Sequence, residues 1–130
     1  MKTKQYAEDE LVFYEKQFML TTYINEDGIY VRLLPFFIKN KFFSWDFISK
    51  AYIRKYNPVL EYGGRGIKQR RILRIKKFSL RNIMRTDVAY TISGNKGLQL
   101  ELTDGRLILI GTRKPDEMEK VLRNLSKWEE

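Results

Sequence analysis

The side chains best suited to act on a substrate are four carboxylates, Asp46, Glu61, Asp87 and Asp104, because a pair of acids can share general acid and general base roles. They are scattered among turn-forming stretches. An Asp in a turn ordinarily serves the turn, bonding nearby backbone through its side chain. The chain has no histidine and no cysteine, which removes the commonest general base, the usual transition-metal ligands and the thiol nucleophile. The expectation is a protein with no catalytic residues, no metal ligands and no bound cofactor.

The string Gly63-Gly64-Arg65-Gly66 admits two readings. Backbone N–H groups in a glycine-rich loop can cradle a phosphate, and an arginine fork would add to it. The lysine and hydroxyl that follow a Walker loop are missing, and no helix obviously opens there. The favoured alternative is a bulge or tight turn needing positive φ.

Charge is the sharpest feature. Residues 1–61 hold nine Lys and Arg against eight acids, and residues 87–130 hold seven against eight. The net charge of +9 therefore comes from Arg65, Lys68, Arg70, Arg71, Arg74, Lys76, Lys77, Arg81 and Arg85, a stretch with no acid at all. From Arg70 to Arg85 a period of two fits poorly. Wound at about 100° per residue, Ile72, Leu73, Ile75, Leu80, Ile83 and Met84 share one half of the circle, with Arg70, Arg71, Arg74, Lys77, Arg81 and Arg85 on the other. A basic amphipathic helix of this kind can lie on an anionic membrane surface. The same pattern fits a helix docked on the protein's own core, or a pair of twisted strands in which Ile72, Leu73 and Ile75 are buried.

These nine cations are the expected anion- or membrane-binding residues, since uncompensated like charges repel and an anionic partner relieves the repulsion. An anionic lipid surface ranks first. A protein partner or a second copy of the chain is the alternative, suggested by the aromatics Phe36, Phe37, Phe42, Phe43, Trp45 and Phe47, most of which are expected in the core. Nucleic acid ranks lower, because no nucleic-acid motif is present and interleaved Ile, Leu and Met suit lipid or protein better.

The elements that must carry these residues are mostly strands. Phe18 to Asn25 and Ile29 to Phe37 flank Glu26-Asp27-Gly28, and Leu98 to Thr103 is joined to Arg106 to Ile110 by Asp104-Gly105; Asp-Gly between such runs is a hairpin signal. Lys50 to Tyr56, Gly66 to Arg71 and Val88 to Ser93 bring the expected strands to seven. Pro115 suits a first helical turn with Asp116, Glu117 and Glu119 near the positive end of the helix dipole. Met118, Val121, Leu122, Leu125 and Trp128 make one apolar face, so 115–128 is expected to be a helix packed on the sheet.

At 130 residues, 43% hydrophobic and 32% charged, the chain fits one globular domain and is too apolar for a disordered one. The expected layout is a single domain over 1–130, with a polar lead-in at 1–16, strands over 17–111, a basic insertion at 68–86 and the helix at 115–128. Met1 to Glu10 lacks the apolar stretch of a secretory signal, and the apolar run Leu33 to Ile38 is far shorter than the roughly 20 residues of a spanning helix. A cytoplasmic location is expected, with peripheral attachment to the inner face of the membrane.

Three strings, Glu61-Tyr62-Gly63-Gly64-Arg65-Gly66-Ile67, Ala89 through Leu98, and Ile110-Gly111-Thr112-Arg113-Lys114-Pro115, resemble a family of uncharacterised bacterial proteins with a pleckstrin-homology-like (PH-like) domain. The resemblance spans roughly residues 20 to 125 and includes Trp45 and Ala51 to Tyr56. It implies a bent, seven-stranded antiparallel barrel capped by one C-terminal helix, and no catalytic activity. Many members carry two transmembrane helices around where Gln17 and Phe18 stand here, and their glycine string usually has Trp where this chain has Arg65. PH domains that read phosphoinositide headgroups generally place basic residues at the first hairpin loop. That loop is expected here at Asn25-Glu26-Asp27-Gly28, which is acidic, so an anion site is expected within Arg65–Arg85 instead.

Overall fold

The computed structural model describes residues 11–33, 41–57, 60–61, 64, 66–73, 84–92 and 94–128, with backbone alone for 67–73 and 84–86. Nine strands and one long helix are present among them. A four-stranded antiparallel meander comprises β1 (Phe13–Gln17), β2 (Leu20–Ile24), β3 (Gly28–Leu33) and β4 (Lys41–Ser44). A 3-10 turn at Trp45–Phe47 leads into the second sheet. That sheet holds β5 (Ile48–Lys55), β6 (Gly66–Leu73), β7 (Met84–Thr91), β8 (Lys96–Leu102) and β9 (Leu107–Gly111) in the order β5-β8-β9-β7-β6. Helix α1 (Pro115–Asn124) follows.

The mainly β class with a C-terminal helix agrees with the sequence. Three expectations need correction. Residues 1–16 are not simply a polar lead-in, because Phe13–Gln17 is a strand with Phe13, Glu15 and Gln17 buried. The strand count is nine rather than seven, β1 and β4 being the additions. The sheets are not wholly antiparallel: β7 runs parallel to β9, with Val88 opposite Ile108 and Tyr90 opposite Ile110. No strand pairing joins the two sheets among the described residues.

For the basic segment the sequence left a helix and a pair of strands open. Both of its flanks are strands, paired antiparallel from Gly66↔Thr91 to Leu73↔Met84, so the helical winding of 70–85 fails at each end. A strand alternates sides with period two, and positions 68, 70 and 72 fall on one face of the sheet, 69, 71 and 73 on the other. Of the same reading, residues 74–83 lie outside the described residues.

The hairpins follow their turn chemistry. Asn25 Oδ1 accepts from the N–H groups of Asp27 and Gly28 at 2.9 and 3.3 Å, fixing the register Ile24↔Ile29. Asp104 Oδ1 accepts from Arg106 N–H at 3.0 Å, while Gly105 takes φ +91°. The β1–β2 turn is less orthodox: Phe18, 75% exposed, occupies a positive φ of +53°. Among the described residues this is the first hairpin, which makes the acidic Asn25–Gly28 turn the second.

The core lies between the sheets. Leu20, Ile24, Ile29 and Leu33 from the first meet Leu98, Leu100, Ile108 and Ile110 from the second, and Met118, Val121 and Leu122 of α1 join them. Fully burying each such side chain contributes on the order of 1.5–3 kcal/mol. Helix α1 has Pro115 in its first turn and Asp116 and Glu117 where the dipole favours acids. It stops four residues before Trp128, the expected end. Ser126 takes φ +60°, Ser126 N–H bonds Arg123 O at 3.0 Å and Lys127 N–H bonds Leu122 O at 2.8 Å, the double closure of a Schellman motif.

Of the aromatics expected in the core, Trp45 is buried, its indole N–H donating to Asn25 O at 2.8 Å, and Phe43 packs on the core. Phe42 and Phe47 are exposed. Phe36 and Phe37 lie outside the described residues.

Candidate functional site

The expected anion-binding residues divide by position. Lys68, Arg70 and Arg71 stand in β6 and Arg85 in β7, with the pairings Lys68↔Ala89, Arg70↔Asp87, Arg71↔Thr86 and Ile72↔Arg85. Arg65, Arg74, Lys76, Lys77 and Arg81 lie outside the described residues. Strand β6 is an edge of the five-stranded sheet, and its first N–H, that of Gly66, donates to Thr91 Oγ1 at 3.3 Å. The hairpin thus brings four of the nine cations onto one paired unit at a sheet border. Lysine and arginine on an edge strand also discourage edge-to-edge aggregation, so part of this charge has a structural use.

Of the glycine string, Gly64 and Gly66 are described, while Gly63 and Arg65 lie outside the described residues. Gly64 and Gly66 take φ of +138° and +104°, and Gly66 opens a strand rather than a helix, unlike a Walker loop.

Two of the four carboxylates, Glu61 and Asp104, are engaged locally. Glu61 is paired with Arg54 at 2.9 Å and accepts from Asn57 N–H at 2.8 Å. Asp104 accepts from Arg106 Nε at 2.8 Å across its own turn. Asp46 is exposed in the 3-10 turn, and Asp87 is buried in β7. Among the described residues no group of three or more Asp or Glu gathers as a metal site would require.

A second surface was not anticipated from the sequence. On the outer side of the four-stranded sheet, register aligns Tyr14 with Tyr23, Tyr23 with Tyr30, and Tyr30 with Phe42. This is a row of four aromatic rings crossing four strands. Tyr30 and Phe42 stack with centroids 4.5 Å apart, and Tyr23 and Tyr30 are 5.9 Å apart. Tyr14 is 58% and Phe42 47% exposed. The adjacent row is Lys16, Thr21 and Arg32.

Between the rows lies an open groove of about 400 Å³, lined by Tyr14, Thr21, Tyr23, Asn25, Tyr30 and Arg32. Arg32 Nε is buried without a hydrogen-bond partner among the described residues. A buried donor in that condition costs free energy until an acceptor arrives. Part of the row was legible. The Asp-Gly hairpin sets Tyr23 and Tyr30 symmetrically about its turn, whereas Tyr14 and Phe42 depend on strands the sequence did not announce.

No family model matches this chain, and no curated protein or solved structure matches it either.

Proposed function

We propose that the chain is a non-enzymatic binding module of PH-like plan that attaches to the anionic, cytoplasmic face of a membrane through the β6–β7 hairpin. The PH-like part of the reading is supported by subtraction. Without β6 and β7, seven strands remain, all paired antiparallel as a four-stranded meander and the three-stranded set β5-β8-β9, followed by one helix. The parallel β7–β9 pairing then belongs to an inserted hairpin rather than to the underlying plan.

The observation that carries the membrane reading is the confinement of the charge excess to that hairpin. Between Leu73 and Met84, the last described pair of β6 and β7, the sequence supplies Arg74, Lys76, Lys77 and Arg81 interleaved with Ile75, Phe78, Leu80 and Ile83. Apolar residues that enter the headgroup region beside cations are the chemistry of interfacial attachment, with each cation near an anionic leaflet contributing about 1 kcal/mol.

The test is co-sedimentation with vesicles. Phosphatidylserine-containing vesicles bind the protein, pure phosphatidylcholine vesicles do not, and added salt weakens binding. The triple change Arg70→Glu, Arg71→Glu, Arg74→Glu abolishes it. Equal indifference to both vesicles at low ionic strength overturns the proposal. A concentration-dependent mass in light scattering that survives the triple change supports a self-assembly module instead.

A further inference from the structure

The aromatic row and the groove beside it lie on a different sheet from the basic hairpin, and nothing in the membrane reading uses them. We infer that this groove binds a nucleotide, with the base against Tyr14, Tyr23 and Tyr30 and the phosphate on Arg32.

Three observations define the ligand. The first is shape: at about 400 Å³ the groove falls within the size of small-molecule sites, and it is open along one side. The second is the wall. Three tyrosines offer π-faces and edges to a planar ring, and Tyr30 is held in place by its 4.5 Å stack on Phe42. Base-on-aromatic stacking is the interaction such a wall offers best.

The third observation is charge. Arg32 brings a guanidinium whose Nε is buried and lacks an acceptor among the described residues, and register sets Lys16 one strand beyond Thr21 in the same row. Among the described residues no acid lines the groove, and the acidic turn Glu26-Asp27 follows Asn25 at the end away from Arg32. An anion is therefore drawn to the Arg32 end, and a ring that stacks on the tyrosines extends toward Asn25. Asn25 Oδ1 is engaged with the turn N–H groups, which leaves its amide nitrogen as the donor for an acceptor on the base. A neutral sugar would leave Arg32 without its anion. A lipid surface would not use a walled groove.

The same chemistry is offered by a free mononucleotide and by a nucleotide within a single strand. The experiment separates them by following tyrosine fluorescence and ring chemical shifts of the intact protein during titration with adenosine monophosphate, with adenosine, and with a short oligothymidylate. The expected result is saturable binding of the monophosphate, at least tenfold weaker binding of adenosine, and perturbation of Tyr14, Tyr23 and Tyr30. Stronger binding of the oligonucleotide with the same perturbed tyrosines assigns the groove to a strand.

Tyr23→Leu lowers affinity about tenfold, and Arg32→Gln brings the monophosphate down to the affinity of adenosine. Tyr14→Ala, at an exposed position that does not hold the core, gives the same direction of loss if Tyr23→Leu fails to fold. Absence of saturable binding by both phosphorylated probes overturns the inference, as does binding that all three substitutions leave unchanged. The Arg70, Arg71, Arg74 triple change leaves monophosphate binding intact, so failure of the membrane proposal and failure of this one are separable.

Discussion

The carboxylate of Glu15 accepts a 2.7 Å hydrogen bond from the hydroxyl of Thr112, tying together two buried residues 97 positions apart. The other Glu15 oxygen accepts from Arg113 N–H at 2.9 Å, and Thr112 Oγ1 accepts in turn from Lys114 N–H at 2.9 Å. Two residues further along the same strand, Gln17 Nε2 donates to Gly111 O at 2.9 Å. Strand β1 is thus latched to the end of β9 and to the entry of α1, where Lys114 provides no side-chain cap.

Glu15→Ala leaves Thr112 Oγ1–H and Arg113 N–H without acceptors in a buried setting, at a cost of about 2–3 kcal/mol. Glu15→Gln keeps one acceptor oxygen and loses less. Urea denaturation of the two variants checks the order, and equal stability of Glu15→Ala and the parent protein would show that the latch carries no weight.

Next to Glu15 in the register stands Thr22. Its side chain is fully buried and its hydroxyl has no hydrogen-bond partner among the described residues. Thr22→Val replaces that hydroxyl with a methyl group of similar shape and removes an unsatisfied polar atom, so it stabilises the protein by about 1 kcal/mol. A thermal melt reads the gain. A loss of similar size would mean that an internal water satisfies the hydroxyl.

The latch also explains what the sequence concealed. In β1 the buried positions are Phe13, Glu15 and Gln17, and the exposed ones are Tyr14 and Lys16. Hydropathy therefore reads polar where the strand is buried, and the partners that satisfy Glu15 and Gln17 lie 94 to 98 residues away. No local pattern contains that information. Hairpins β2–β3 and β8–β9 were legible because Asp-Gly turns act locally, and α1 because Pro115 and its acids do. The basic segment stayed open between helix and strands for a different reason. Its apolar and cationic residues sort onto opposite halves of a helical wheel while a period of two fits poorly, so the pattern alone does not separate a helix from paired strands. Even the expected count of seven strands included β6 and β7 and missed β1 and β4, the converse of the seven that remain when the hairpin is set aside.

Two tyrosines make the protein sensitive to alkali. Burial raises the pKa of Tyr90 above its ordinary 10.0, with the positive charge of Arg106 opposing. Tyr52 is raised first by burial, then by the negative charge of Glu101 and its hydrogen bond to that carboxylate. Both groups hold protons more tightly folded than unfolded. Their contribution is fully present below pH 10.0 and is lost as pH rises through the folded values. Stability measured by urea should therefore fall above pH 10.0 with tyrosinate absorbance appearing late, and Tyr90→Phe should flatten that fall. An unchanged alkaline slope in Tyr90→Phe would assign the loss elsewhere.

Gly28 and Gly105 separate two reasons for glycine. A Cβ on Gly28 would collide with Phe43 O and approach Phe42 Cε1 to 2.8 Å, so the residue is small because the neighbouring strand β4 lies close beside it. Gly105 has open space around it, and only its φ of +91° favours glycine. Asn tolerates positive φ better than other L-residues. Gly105→Asn should accordingly cost well under the 1–2 kcal/mol of a typical substitution at positive φ, whereas Gly28→Asn should cost more than Gly28→Ala, itself about 1–3 kcal/mol by overpacking. Because the Gly28 clash falls on Phe42, the Gly28 variants should also weaken the nuclear Overhauser contact between the Phe42 and Tyr30 rings. Retention of that contact with full stability in Gly28→Ala would mean that β4 yields easily, and that the end of the aromatic row is adaptable rather than fixed.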